Sequence, residues 1–190
     1  MHDRHQQHAQ HSPHARYAAG VFRAAGARTV LALGTGDGED ALFLACEGFT
    51  VRAVHDVRAP LPLPDDSVDA VYAHLLLCMA LSTKEIRAAV DELGRVLRPG
   101  GLLVYTVRHT GDAHHGTGIS HGDHIYEHGG RVVHFFDADL IHDLAKGWRM
   151  HGLEAFEEGE LPHRLWRVTQ ARPRVTGART ARRPGSPGSR

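Results

Sequence analysis

Residues 29–47 read TVLALGTGDGEDALFLACE, and this stretch decides the fold. Thr29–Leu33 is a short apolar run that ends in glycine, the pattern of a buried strand. Gly34, Thr35, Gly36, Asp37 and Gly38 follow. Glycines at such a point let the chain turn sharply and let a ligand touch bare main chain. Ala41, Leu42, Leu44 and Ala45 then recur at helical spacing between Glu39 and Glu47, and Gly48 ends the run. The free N–H groups at the start of that helix favour an anionic or electron-rich group. The spacing is G-x-G-x-G, with Glu39 where a dinucleotide fingerprint wants its third glycine. No Gly-Lys-Ser/Thr follows, which excludes a P-loop. A tight turn without a ligand is the plain alternative, and a nicotinamide-dependent oxidoreductase is a weaker one.

The same alternation continues outward. Tyr17 to Ala25 predicts a short helix that ends near Gly26. Thr50–Val54 and Val68–Ala73 predict two more strands, the latter introduced by the turn Pro64-Asp65-Asp66-Ser67. Ser82 is the expected N-cap of a helix over Thr83 to Leu97, with Glu85 completing a capping box. Ile86, Val90, Leu93 and Leu97 mark its apolar face. Pro99-Gly100-Gly101 stops it, and Leu102–Val107 predicts a strand covered on both faces. Leu75–Leu81 reads as buried helix, Ala138–Ala145 as a further helix, and Leu153–Phe156 and Leu165–Val168 as final strands. Strands alternating with helices predict an α/β domain on a mostly parallel sheet.

The chain has 190 residues, 42% hydrophobic and 23% charged, which suits one globular domain with tails. Lys+Arg and Asp+Glu are 22 each, so no basic excess points to nucleic acid. No apolar run is long enough to span a bilayer, and no signal peptide is visible, so no membrane role is expected. Two cysteines, Cys46 and Cys78, make no disulfide framework, and both are expected to be packed; the cytoplasm is the expected compartment. There are 17 histidines. Residues 1–14 form a His-rich tail, 15–170 the domain, and 171–190 a basic tail with six arginines that is expected to be disordered.

Three segments in order carry a family resemblance: VLALGTGDGEDALFLACEGFTVRAV, LPLPDDSVDAVYAHLLLCMAL and ELGRVLRPGGLLVYTVRH. They resemble class I S-adenosylmethionine-dependent methyltransferases, over about residues 15–170. YEHGGRVVHFFDADLIHDLA and WRVTQ are similar to small bacterial tellurite-resistance methyltransferases. The resemblance implies a Rossmann-like sheet with helices on both faces. It implies S-adenosylmethionine as cofactor, held by Gly34, Thr35, Gly36 and Gly38, by His55 and Asp56 after the second strand, and by His74 after the next. It also implies a small-molecule or metalloid-oxyanion methyl acceptor.

Two departures from the family pattern stand out. Ala32 occupies the position where the family usually carries an acid. After Asp56 the chain runs through Val57–Pro60 straight into the LPLPDDS turn, so one βα unit is expected to be missing. An exposed sheet edge, and a homodimer that covers it, would follow.

Residues 109–134 hold seven histidines among six glycines and read as a flexible cover over the substrate. His109, His124 and Tyr126 are the candidate catalytic groups there. Solvated loop histidines or a zinc or nickel site are alternatives, although the spacing fits no compact metal finger. The whole chain could thus be an enzyme, a non-catalytic methyltransferase-like binding protein, or a His-rich metal handler.

Overall fold

The computed structural model describes residues 11–34, 36, 38–159 and 163–174. Thr35 and most of both expected tails lie outside these residues. Six strands form one sheet in the order β2-β1-β3-β4-β9-β8. Here β1 is Thr29–Leu33, β2 Thr50–Val54, β3 Val68–His74, β4 Leu97–Arg108, β8 Arg149–Glu158 and β9 His163–Ala171. The pairs β1·β2, β1·β3 and β3·β4 are parallel, whereas β9 runs antiparallel between β4 and β8. The expected α/β architecture with a mostly parallel sheet is therefore present.

Helices cover both faces because successive residues of the central strands point to opposite sides. Val30, Ala32, Ala70, Tyr72 and Val104 pack with Ala15, Ala18, Ala19 and Phe22 of α1 (Pro13–Ala24) and Leu44 of α2 (Glu39–Cys46). Leu31, Leu33, Val71, Leu103 and Tyr105 pack with Ile86, Val90 and Leu93 of α3 (Thr83–Val96) and with Ile141 and Leu144 of α4 (Ala138–Leu144). Each buried Val, Leu, Ile or Phe among them contributes roughly 1.5–3 kcal/mol, and the alanines less. The predicted capping box at Ser82 and Glu85 forms.

Several expectations shift. The first helix begins at Pro13 instead of Tyr17, because Ser12 caps it by accepting from the His14 N–H at 3.0 Å and Pro13 needs no donor there. His14 is consequently buried instead of lying in a tail. The last strand extends through Ala171. Leu75–Leu81 forms no helix: Met79 bridges to Val133 and the Ala80 N–H donates to the Val132 carbonyl, so the segment is spent on a tertiary edge. Cys78 is buried as expected, but Cys46 is exposed at the end of α2.

Between β2 and β3, residues 55–67 contain neither helix nor strand. Arg95 of α3 pins this segment by donating to the carbonyls of Leu61 and Leu63, and Glu92 accepts from the Leu61 N–H. β2 is left as a sheet edge.

The His-rich segment is not a loose cover. It folds as a three-stranded antiparallel meander, β5 (Ile119–Gly122), β6 (Ile125–His128) and β7 (Arg131–His134). Asp123-His124 and Gly129-Gly130 make its two-residue turns, all at positive φ, the backbone twist that tight hairpins require. β7 is anchored to the core where the His134 N–H donates to the Cys78 carbonyl and its Nδ1 to the Leu81 carbonyl.

Candidate active site

A cavity of about 650 Å³ opens at the carboxyl ends of the parallel strands. That is where ligands sit in open α/β sheets, and the volume suits a cofactor-sized molecule. Gly34 and Gly36 line it after β1, Glu39 and Asp40 at the start of α2, His74 and Leu75 after β3, and Arg108 at the end of β4. Met79, Arg131 and Val133 enclose it from the meander side.

The two lining glycines differ in kind. A Cβ on Gly34 would lie 2.7 Å from the Leu76 Cβ, so this glycine serves packing. Gly36 has φ +53° and nothing within 4 Å of where a Cβ would project. Main chain is therefore left bare at the cavity, as close approach of a ligand to the backbone needs. The residues present fit a nucleoside-type cofactor on this count.

Asp40 ties three elements together. Its carboxylate is buried and accepts from the Ser12 N–H and the Tyr72 hydroxyl, each at 2.7 Å. Burial, with the Asp40 carboxylate next in effect, raises the Tyr72 pKa strongly. Ala32, where the resemblance leads one to expect an acid, is buried and faces Tyr72 in register. The acid of this rim thus comes from α2 instead of β1. Sequence reading missed Asp40 because it counted from the family position.

It also missed that His14 packs behind the lining residue His74. The His14 ring lies 5.4 Å from His74 and 4.3 Å from Phe156, and neither ring nitrogen has a hydrogen-bond partner. Burial lowers its pKa to about 4, helped by the neighbouring His74. His74 is likewise lowered, mainly by burial, and its Nδ1 lies 2.7 Å from the Thr106 hydroxyl, which fixes the ring. The Ser12-Pro13 pair was the overlooked signal, since it marks a helix start.

The other expected site residues scatter. Gly38 is the left-handed N-cap of α2. His55 and Asp56 follow β2 on the same rim but are exposed and do not line the cavity; Asp56 accepts from the Arg58 N–H at 2.9 Å. His109 stacks on Trp166 with centroids 4.2 Å apart and accepts from the Gly111 N–H. His124 sits in a hairpin turn beside His115 and Asp137. Tyr126 lines a second cavity of about 170 Å³. None of these last three lines the large cavity.

Asp112, His114 and His163 bring ligand atoms within 4.8 Å of one another, a metal-compatible group among the described residues. However, an Arg108 nitrogen already lies 2.9 Å from both Asp112 Oδ1 and His163 Nδ1. A guanidinium there competes with a cation.

Comparison with known proteins agrees with the fold. Residues 43–105 match the family described as methyltransferase domain. The chain is 31% identical over 103 residues to the tRNA N(3)-cytidine methyltransferase METTL2 of Danio rerio, covering 52% of this chain but only 29% of that protein's length. A Burkholderia thailandensis 1,6-didemethyltoxoflavin-N1-methyltransferase, solved with bound 1,6-didemethyltoxoflavin and S-adenosylhomocysteine, superposes with a TM-score of 0.66 at 15% identity, over 85% of this chain and 79% of that one. An S-adenosylmethionine-dependent methyltransferase of Methanosarcina mazei gives 0.64 at 15% identity, over 77% and 92%. The chain therefore carries a methyltransferase-domain segment on the α/β fold it shares with S-adenosylmethionine-dependent methyltransferases.

Proposed function

We propose that the protein is an S-adenosylmethionine-dependent methyltransferase. The observation that carries this is the bare backbone at Gly36 on a cofactor-sized cavity at the sheet's carboxyl rim. The cofactor supplies a methyl group activated on a sulfonium. The bare main chain at Gly36 would hold it, with Gly34 packing the turn behind and Asp40 offering negative charge to its cationic parts. The chain's own contribution is mostly positioning, as in-line transfer requires alignment of the acceptor and exclusion of water. Burial lowers the His74 pKa, which favours the uncharged ring and makes it a weak base, so its part is to accept a hydrogen bond from the methyl acceptor and orient it. Tyr126, in the neighbouring cavity, belongs on the acceptor side.

The acceptor in this reading is a small molecule or a metalloid oxyanion, and the tellurite-resistance likeness belongs here as well. The absence of helix and strand over residues 55–67 supports a core one βα unit shorter than the family pattern. The exposed edge of β2 is where a second copy would pair, and a monomer mass by light scattering would refute that pairing.

Calorimetric titration with S-adenosylhomocysteine tests the main reading. Saturable binding is expected in the wild type. Gly36→Val should abolish it, because the added side chain meets no protein atom and fills the ligand's space. No binding by the folded wild-type chain would leave a non-catalytic binding protein as the better description.

A further inference from the structure

The second cavity, of about 170 Å³, shares Arg108, Arg131 and Val133 with the large one, so the two are contiguous. Its polar lining is rich in donors: Arg108, Arg131, His114, His128, His163 and the Tyr126 hydroxyl. No carboxylate lines it among the described residues.

The nearby acid, Asp112, is fully engaged elsewhere. Its side chain has 0% exposure. One oxygen accepts from Arg108 and from the His114 N–H at 2.9 Å each, and the other from the Arg164 N–H at 2.8 Å. Asp112 therefore balances one guanidinium and leaves the second, Arg131, without an ion-pair partner among the described residues. Arg108 also keeps an unpartnered, buried Nε. Because an Arg108 N–H donates to His163 Nδ1 at 2.9 Å, the His163 hydrogen is placed on Nε2, which adds a further donor. Phe135 supplies an apolar wall, with the Arg108 guanidinium 5.6 Å from its ring centre.

Converging donors with a net positive charge, in a space of this size, match a planar or tetrahedral oxyanion, which arginine recognises in a forked geometry. Gly36 follows β1 and Arg108 ends β4, with only β3 between these strands. Two strand spacings amount to about 10 Å, the scale of one small acceptor.

We propose that this smaller cavity is an oxyanion subsite: it takes a carboxylate or phosphate carried by the methyl acceptor and so points the acceptor's reacting atom into the large cavity. The subsite stands on its own lining; its role in orienting an acceptor rests on the methyltransferase reading. A divalent metal on Asp112, His114 and His163 is disfavoured by the guanidinium already between two of them.

The test uses the full chain at constant ionic strength, titrated separately with inorganic phosphate, acetate and zinc, and followed by histidine side-chain NMR. Millimolar, saturable shifts of His114, His128 and His163 with phosphate, with acetate or with both are expected, and the effective anion identifies the acceptor's group. Arg131→Gln should weaken that binding at least 10-fold, and His128→Gln by a smaller factor. Both residues are exposed, so both variants should fold. Anion binding that is absent, or unchanged in both variants, overturns the proposal. Micromolar zinc binding on the same histidines with no response to either anion also overturns it. S-adenosylhomocysteine is titrated in parallel. Binding of that compound without either anion sinks the subsite alone, whereas anion binding without it sinks the methyltransferase reading alone.

Discussion

The parallel half of the sheet and the histidine-rich meander enclose one cavity from two sides, and they are built by opposite means. The sheet side is dry. β1, β3 and β4 are buried nearly throughout; bare main chain at Gly34 and Gly36 follows β1, while β3 and β4 each end in one polar side chain at the rim, His74 and Arg108. The meander side is polar. β5 is exposed along its length, and the turn that leads into it is held by the buried Asp112 and its circle of donors. The sheet side offers bare backbone, and positive charge gathers where Arg108 of β4 meets Arg131 of β7. Under the proposed function, the bare backbone would cradle the cofactor and the guanidiniums would orient the acceptor.

The largest expected effect tests the polar side. Asp112→Ala removes the acceptor for Arg108 and for two backbone N–H groups. Breaking a buried pair in this way costs about 3–5 kcal/mol. Urea denaturation should show it, and a loss below about 1 kcal/mol would mean that the meander is held by its apolar contacts instead.

The second test lies on the sheet side, at His14, which packs between His74 and Phe156. Its folded-state pKa of about 4 is below the ordinary 6.5. An unfolded chain therefore binds a proton at this residue as pH falls below about 6.5, while the folded chain resists until about pH 4. The unfolded state holds more protons across that window, so stability falls as pH drops through it. The ceiling for this one residue is about 3 kcal/mol. Denaturation midpoints measured between pH 7 and pH 4 should fall less steeply in His14→Leu than in the wild type. Equal slopes would show that His14 is not the group responsible.

The smallest effect on folding tests the dry side. Gly34→Ala places a Cβ at φ +61° against Leu76, with an expected loss of about 2 kcal/mol in thermal or urea unfolding. Gly36→Ala, with open space around it, should cost less stability than Gly34→Ala yet weaken S-adenosylhomocysteine binding more. The reverse order would exchange the roles given to these two glycines.

Much of the dry side was legible in the residues themselves. TVLAL, the glycine run after it, and the capped repeat from Ser82 each carry a local signal that one element can satisfy alone. The meander's signal was also present, in Gly129-Gly130 between IYEH and RVVH, but the density of glycine and histidine around it imitated a loose loop. Residues 75–81 look helical by composition and become a sheet-docking turn only because β7 arrives to pair with them. Of the site, the glycines and His74 could be read from their place after strands.

By itself the amino-acid sequence determined the α/β alternation, the strand that ends in bare glycines, and a charge balance that excludes a generally basic surface. These depend on periodicity and composition, which act within a few neighbouring residues. Only the tertiary structure decided that Asp40 lines the site and His14 packs behind its His74, that His109 and His124 turn away from the large cavity, and that Arg108 and Arg131 converge. Those outcomes depend on which strand lies beside which, and on how far a side chain must reach once the sheet order brings distant segments together.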